Sequence, residues 1–355
     1  MRYQFLALII LTGLIYSGCS HTSELTGDNL QADESDIDYS IVYYIHADSD
    51  YLYHTPEGEP IRENSEVLDT AFKVAEEALT GEVFIYYQRP ETKFLGLFPR
   101  KRSRLYHYKK SQLVNTIKYR HADKKESFLA SEANLLREIR TQNRTDEHQS
   151  YFLFFGHEIP PENGKGYHHT LPDIDVNTAS FASGIQNFLH SDEDRFNLVV
   201  LSTCNNGTPK MAELLMPFTD TMLASPQNLH LSHFDTEAIT LLEKEPGVSS
   251  MKLARSMADQ TYQRLEETIQ TTITLTLYDL EEVKPYIDTL ASLTSSNQTS
   301  DRFVQFQDNV DCSAINPFEA DAYQQGVEMW YKPARFGRQS GRSTHSGWGC
   351  KPAAQ

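Results

Sequence analysis

Residues 151–158 read Tyr-Phe-Leu-Phe-Phe-Gly-His-Glu, and residues 196–207 read Phe-Asn-Leu-Val-Val-Leu-Ser-Thr-Cys-Asn-Asn-Gly. Tyr151–Phe155 and Phe196–Leu201 are short apolar runs of the kind that forms a strand buried on both faces. Each run stops abruptly on polar, chemically competent side chains: Gly156-His157-Glu158 in one case, Ser202-Thr203-Cys204 in the other. Between them, Ala179–Leu189 has the period of a helix. The unit is strand, helix, strand, which predicts a parallel pair with the reactive residues beyond its carboxyl ends.

The same alternation extends in both directions. Ser40–His46, Glu82–Tyr87 and Asp220–Ala224 read as further strands, and Glu66–Leu79, Phe128–Ile139 and Lys210–Met216 as helices. Residues 89–125 interrupt it with Pro90, Pro99 and the basic run Arg100–Arg104, and are expected to form an extended hairpin or insertion. The pattern predicts an α/β sandwich over residues 39–300, with a mostly parallel sheet covered by helices on both faces and a C-terminal extension over 301–355. Rich in Gly, Arg and Ser, the last forty residues, which include Trp330 and Trp348, give no assignable pattern.

Composition narrows the function. The 355 residues include 18 Phe and 19 Tyr, too many for a solvated coil. A formal net charge of −17 argues against nucleic acid as a partner, because binding to it needs a basic face. Four Cys over this length are too few for a disulfide scaffold.

Met1-Arg2 precedes an almost unbroken apolar stretch, Phe5–Tyr16, that is shorter than the ~20 residues of a spanning helix. It runs into Ser17-Gly18-Cys19-Ser20. That arrangement resembles a bacterial lipoprotein signal, in which residues 1–18 are removed and Cys19 is lipidated. Membrane attachment through Cys19 follows, because acyl chains gain ~0.8 kcal/mol per buried CH2. Ordinary signal-peptidase cleavage and an uncleaved anchor are the alternatives, and all three place the chain outside the cytoplasm; the lipoprotein reading places it in the bacterial cell envelope, facing the periplasm or the cell surface. Residues 19–38 are polar and acidic, as a tether would be.

A thiolate attacks carbonyl carbon well, but a free thiol is mostly protonated at neutral pH. A neighbouring imidazole that takes its proton makes it a nucleophile. His157 precedes Cys204 by 47 residues, one strand-helix-strand excursion, so the two side chains can project from neighbouring strand ends. The competing readings are a buried structural thiol and a surface imidazole.

In order along residues 40–290, the chain resembles the clostripain-like cysteine peptidases, which have a caspase-like fold. The resemblance rests on the first strand with Ala47-Asp48-Ser49-Asp50-Tyr51-Leu52, the strand ending in Gly156-His157, and Leu201-Ser202-Thr203-Cys204. It continues through Ala212-Glu213-Leu214, Leu223-Ala224-Ser225-Pro226 and Ile273–Leu280. It implies a three-layer caspase-like sandwich and an endopeptidase with Cys204 as nucleophile, His157 as acid–base, and a peptide or protein substrate. Glu158, Ser202 and Ser225 would line the oxyanion site or the substrate pocket. Two positions depart from the family pattern. Glu158 stands where a Gly is usual after the His, and Ser202 where an Asp is usual two residues before the Cys. Both departures motivate an alternative, a catalytically inactive lipoprotein that uses the fold as a binding module.

Tyr167-His168-His169 reads as a loop rimming the cleft, and His157-Glu158 lacks the second His of a zincin site. No cofactor is expected. Asp173 and Asp175 offer carboxylates for Ca²⁺, against the simpler reading of a solvated loop. Cys312 and Cys350 can pair in an oxidising compartment if geometry permits.

Overall fold

The structure, a computed structural model, describes residues 36–47, 52–54, 60–89, 92–94, 98–100, 103–119, 127–161, 165–167, 171–191, 194–229, 233–288, 318–319, 323–337, 340–341 and 343–349. Its centre is a sheet of ten strands. In chain order these are β1 (Ile37–His46), β2 (Gly81–Gln88), β3 (Ser103–Lys109), β4 (Gln112–Tyr119) and β5 (Arg144–Phe155), then β6 (Phe196–Ser202), β7 (Thr219–Ala224), β8 (Ile273–Asp279), β9 (Tyr323–Gln324) and β10 (Val327–Lys332). Across the sheet the order is β9-β10-β8-β7-β6-β5-β1-β2-β3-β4. The five strands from β7 to β2 are parallel, and antiparallel strands extend both edges.

The central strands are buried on both faces because nearly every side chain along them is apolar. Ile41, Tyr43 and Ile45 face one way, with Leu153, Phe155, Leu198 and Val200. That face is covered by α1 (Glu63–Glu77), through Val67, Ala71 and Val74, and by α5 (Ser250–Thr268), through Leu253, Met257 and Leu265. Val42, Tyr44, Phe152, Phe154, Val199 and Leu201 face the other way. Over them lie α2 (Ala130–Ile139), α3 (Thr178–Gln186) and α4 (Pro209–Leu215). The result is a three-layer α/β sandwich with a mixed sheet whose central strands are parallel, as the sequence predicts. Each fully buried Leu, Ile or Phe contributes about 1.5–3 kcal/mol over the exposed state.

Three features differ from the sequence reading. Strand β5 begins at Arg144, well before Tyr151, because Arg144 pairs with Ile37 of β1 and, after a register shift, Gln149 and Ser150 pair with Tyr39 and Ser40, while the polar segment stays partly exposed. Ser103–Tyr119 does form a hairpin, and its first strand is zipped onto β2 as part of the main sheet. In the unassigned tail, Val327–Lys332 pairs antiparallel with β8.

No helix among the described residues is long and apolar enough to cross a membrane. Residues 1–35, with Cys19, lie outside them, as do Asp48–Tyr51, Lys101, Arg102, His168, His169, Cys312 and Cys350.

Candidate active site

The chain order reverses at β1: β2 lies on one side of it, β5 and β6 on the other. Beyond the carboxyl ends at such a switch point, successive loops part and leave a crevice. Ser202, the last residue of β6, is paired with Phe155, the last of β5. The Gly156 N–H continues the ladder to the Ser202 carbonyl at 3.3 Å. His157 and Cys204 therefore stand at equivalent positions, two residues beyond a matched pair of strand ends, and both are half-buried.

The two loops are stitched together by side chains. Asn206, itself buried, bridges to Ile159 through both amide atoms: Oδ1 accepts from the Ile159 N–H at 2.9 Å and Nδ2 donates to the Ile159 carbonyl at 2.9 Å. The Thr203 hydroxyl donates to the same Oδ1 at 2.6 Å. Asn205, in the left-handed region at φ 57°, donates from Nδ2 to Glu158 Oε2 at 2.6 Å. The buried Tyr167 donates to the His157 carbonyl at 2.7 Å, its ring 5.0 Å from that of His46 at the end of β1. Residues 157, 158 and 159 are thus each held by a separate side chain, Tyr167 on the first and the adjacent Asn205 and Asn206 on the other two. Buried amides of this kind cost 1–3 kcal/mol when a partner is lost, so the loops resist drifting apart.

On the far side, the Cys204 loop is laddered to the turn after β7. Asn205 N donates to Gln227 O and Gly207 N to Ser225 O, both at 2.9 Å. The Leu229 N–H points at Cys204 Sγ at 3.4 Å, an interaction that a thiolate accepts better than a thiol. Ser225 is fully buried; its hydroxyl lies 2.8 Å from Gln227 O and 2.9 Å from Thr274 O, which makes it a fastener of this turn. Ser202 is buried too, and its Oγ accepts from the Phe234 N–H at 3.1 Å.

The segment 233–235 that backs Ser202 is fixed in turn by α5. Arg264 donates to the His233 carbonyl at 2.6 Å and reaches the Asp235 carboxylate at 3.1 Å. Burial, reinforced by the Arg264 charge, pushes the His233 imidazole down to about 3. The Asp235 carboxyl is raised by burial, against the pull of Arg264.

Among the described residues no group of three or more His, Cys, Asp or Glu is placed to hold a metal ion. Asp175 lies at the end of a short strand, Leu171–Asp175, and is exposed. Asn206 is the site residue that sequence reasoning missed, as is the bond from Tyr167 to the His157 carbonyl, the sequence placing Tyr167 only on the rim of the cleft. Asn205-Asn206-Gly207 carries an ordinary turn signature, and nothing local marks the middle residue as a buried bridge.

No protein-family model matches the sequence, and no curated protein sequence does either. Solved structures do. The chain is similar to a secreted C11 cysteine protease of Bacteroides thetaiotaomicron at 12% identity and a TM-score of 0.48, over 73% of this chain and 70% of that one. It is similar to an inactive zymogen C11 protease of Parabacteroides distasonis at 10% identity and a TM-score of 0.48, over 82% and 74%. A clostripain from Bacteroides thetaiotaomicron, solved with a peptide inhibitor, matches at 17% identity and a TM-score of 0.26, over 34% and 48%.

Proposed function

We propose that this protein is a cysteine endopeptidase, with Cys204 as nucleophile and His157 as its acid–base partner. The observation that carries this reading is the matched pair of strand ends, Phe155 and Ser202, whose outgoing loops are tied together by Asn206 and by Glu158–Asn205. The imidazole takes the thiol proton as sulfur attacks a peptide carbonyl carbon. It then gives that proton to the departing amine, leaving a thioester. Water, deprotonated by the same ring, attacks the thioester carbonyl, and the acid leaves as the thiol is restored.

Glu158, where the resemblance leads one to expect Gly, is turned toward Asn205, which engages one of its oxygens. Its side chain is thereby held to the loop after the nucleophile. Ser202 is neutral and already accepts a backbone hydrogen bond, so it supplies no charge-assisted pairing for a substrate Arg or Lys. We therefore assign this peptidase a preference for uncharged side chains at the residue before the scissile bond. Profiling on a peptide library tests both statements. Cleavage after neutral residues by the wild type and none by Cys204→Ala is expected; strict cleavage after Arg or Lys contradicts the specificity, and cleavage that survives Cys204→Ala contradicts the nucleophile.

We also propose that the mature chain begins at a lipidated Cys19 and faces away from the cytoplasm. Mass analysis of the mature N-terminal peptide is expected to show an acylated Cys19. An unmodified N-terminus elsewhere overturns the anchor.

A further inference from the structure

The loop that carries Cys204 is the middle segment of a small three-part ladder. On one side lies the turn after β7, already described. On the other lies the C-terminal segment, whose Gly349 N–H donates to the Gly207 carbonyl at 2.7 Å. That segment is anchored by Trp348, which is 2% exposed and packs on the Tyr278 ring at 4.4 Å between centroids, with Tyr286 beyond at 6.2 Å. The Tyr278 hydroxyl sits between the two strands of contact, 2.6 Å from Gly347 O and 3.1 Å from Gly207 O.

Two glycines make the approach possible. A Cβ at Gly207 would stand 2.7 Å from the Tyr278 oxygen and 2.8 Å from Pro226 N, closer than real Cβ atoms come. One at Gly349 would stand 3.0 Å from Pro226 O and 3.1 Å from Thr208 Cγ2. The tail thus touches the residues that follow the sulfur, and Gly207 O is the point where its grip is applied.

We propose that the segment Ser346–Gly349 is a positioning element for the nucleophile, with Trp348 and Tyr278 as its anchoring residues. This rests on the assignment of Cys204 above. By fixing Gly207, the segment holds the backbone from Cys204 to Thr208 against the turn after β7, and so keeps the sulfur aligned with the loop that bears His157. The tail is far away in sequence from the residues it positions, which makes the chain's reactivity dependent on its own C-terminal end.

The test is the pH profile of Cys204 alkylation by iodoacetamide in the full chain, followed by mass spectrometry, for wild type, Trp348→Ala and Tyr278→Phe. Tyr278→Phe keeps the ring against Trp348 and removes only the shared hydroxyl, so it decides the matter if Trp348→Ala fails to fold. The expected result is alkylation at neutral pH slowed about tenfold, since a thiol that has lost its activating partner is only a few per cent thiolate there. The profile should also move up toward that of a free thiol, at about 8.5. A profile unchanged in Tyr278→Phe, with only the thermal midpoint lowered, overturns the inference and leaves the tail a packing element. A wild-type Cys204 that titrates like a free thiol removes the peptidase reading itself, and this inference with it.

Discussion

The two rims of the central sheet use polar residues in opposite ways. At the amino-terminal rim, Glu82 and His107 are both buried and 2.8 Å apart, and the Glu82 carboxylate also accepts from the Thr141 N–H at 3.1 Å and hydroxyl at 2.9 Å. Nearby, the buried Arg140 donates to the carbonyls of Leu189 and His190. The charged and imidazole groups here, Glu82, His107 and Arg140, are buried and bound to one another or to backbone. At the carboxyl-terminal rim the buried Asn206 binds the Ile159 backbone and accepts from the buried Thr203, and so ties together the two loops that bear the half-buried His157 and Cys204. One rim closes the fold, and the other directs its hydrogen bonds to placing two half-buried side chains.

That contrast predicts that the rims break differently. Glu82→Ala strands His107 and the Thr141 N–H and hydroxyl and is expected to lower stability in urea unfolding by about 1–3 kcal/mol for each donor left without its partner. Cys204 alkylation under native conditions should be unaffected. A loss below about 1 kcal/mol would mean the amino-terminal rim is not the closed one.

Acid should act next most strongly, through His233. The folded chain keeps this ring neutral down to about 3, whereas the unfolded ring takes a proton near 6.5. Between those limits the unfolded state binds more protons, so stability is complete above about 6.5 and falls as pH drops, at up to about 1.4 kcal/mol per unit. His233→Gln should flatten that slope in unfolding measured from pH 7 to pH 4. An identical slope in the variant would assign the acid response to other groups.

Asn206→Ala is expected to cost about 1–3 kcal/mol in stability, since it leaves the Ile159 N–H and carbonyl buried without their partner. Unlike Glu82→Ala, it should also depress peptide turnover by about 100-fold through misplacement of the two loops. Equal turnover at reduced stability would reduce Asn206 to a structural role. The smallest effect belongs to Glu158→Gln, which retains an acceptor for Asn205. Turnover is expected to change by no more than about threefold, within the range of an exposed polar contact. A large gain would show that the carboxylate opposes charge developing at the site.

The central strands are legible in the sequence because continuous apolar runs such as Tyr151–Phe155 have no alternative to double-sided burial, and the helices that cover them because their apolar residues recur with helical period. The amino-terminal half of β5 is not, since Arg144–Ser150 is polar, carries no apolar signature and meets β1 across a register shift. The residues Cys204 and His157 stand out by type and by their place after apolar runs. Asn206, Tyr167 and Trp348 do not. Their roles arise from contacts between segments distant in the chain, and only the folded topology brings those segments together.

The central claim is that Cys204 and His157 work as one unit. The most direct measurement is intact-mass labelling of the purified full chain with a peptidyl acyloxymethyl ketone, comparing wild type, Cys204→Ala and His157→Ala. Single-adduct labelling of the wild type is expected, with none in Cys204→Ala and a rate reduced by about 10²–10⁴ in His157→Ala. Equal labelling of the wild type and His157→Ala would contradict the account.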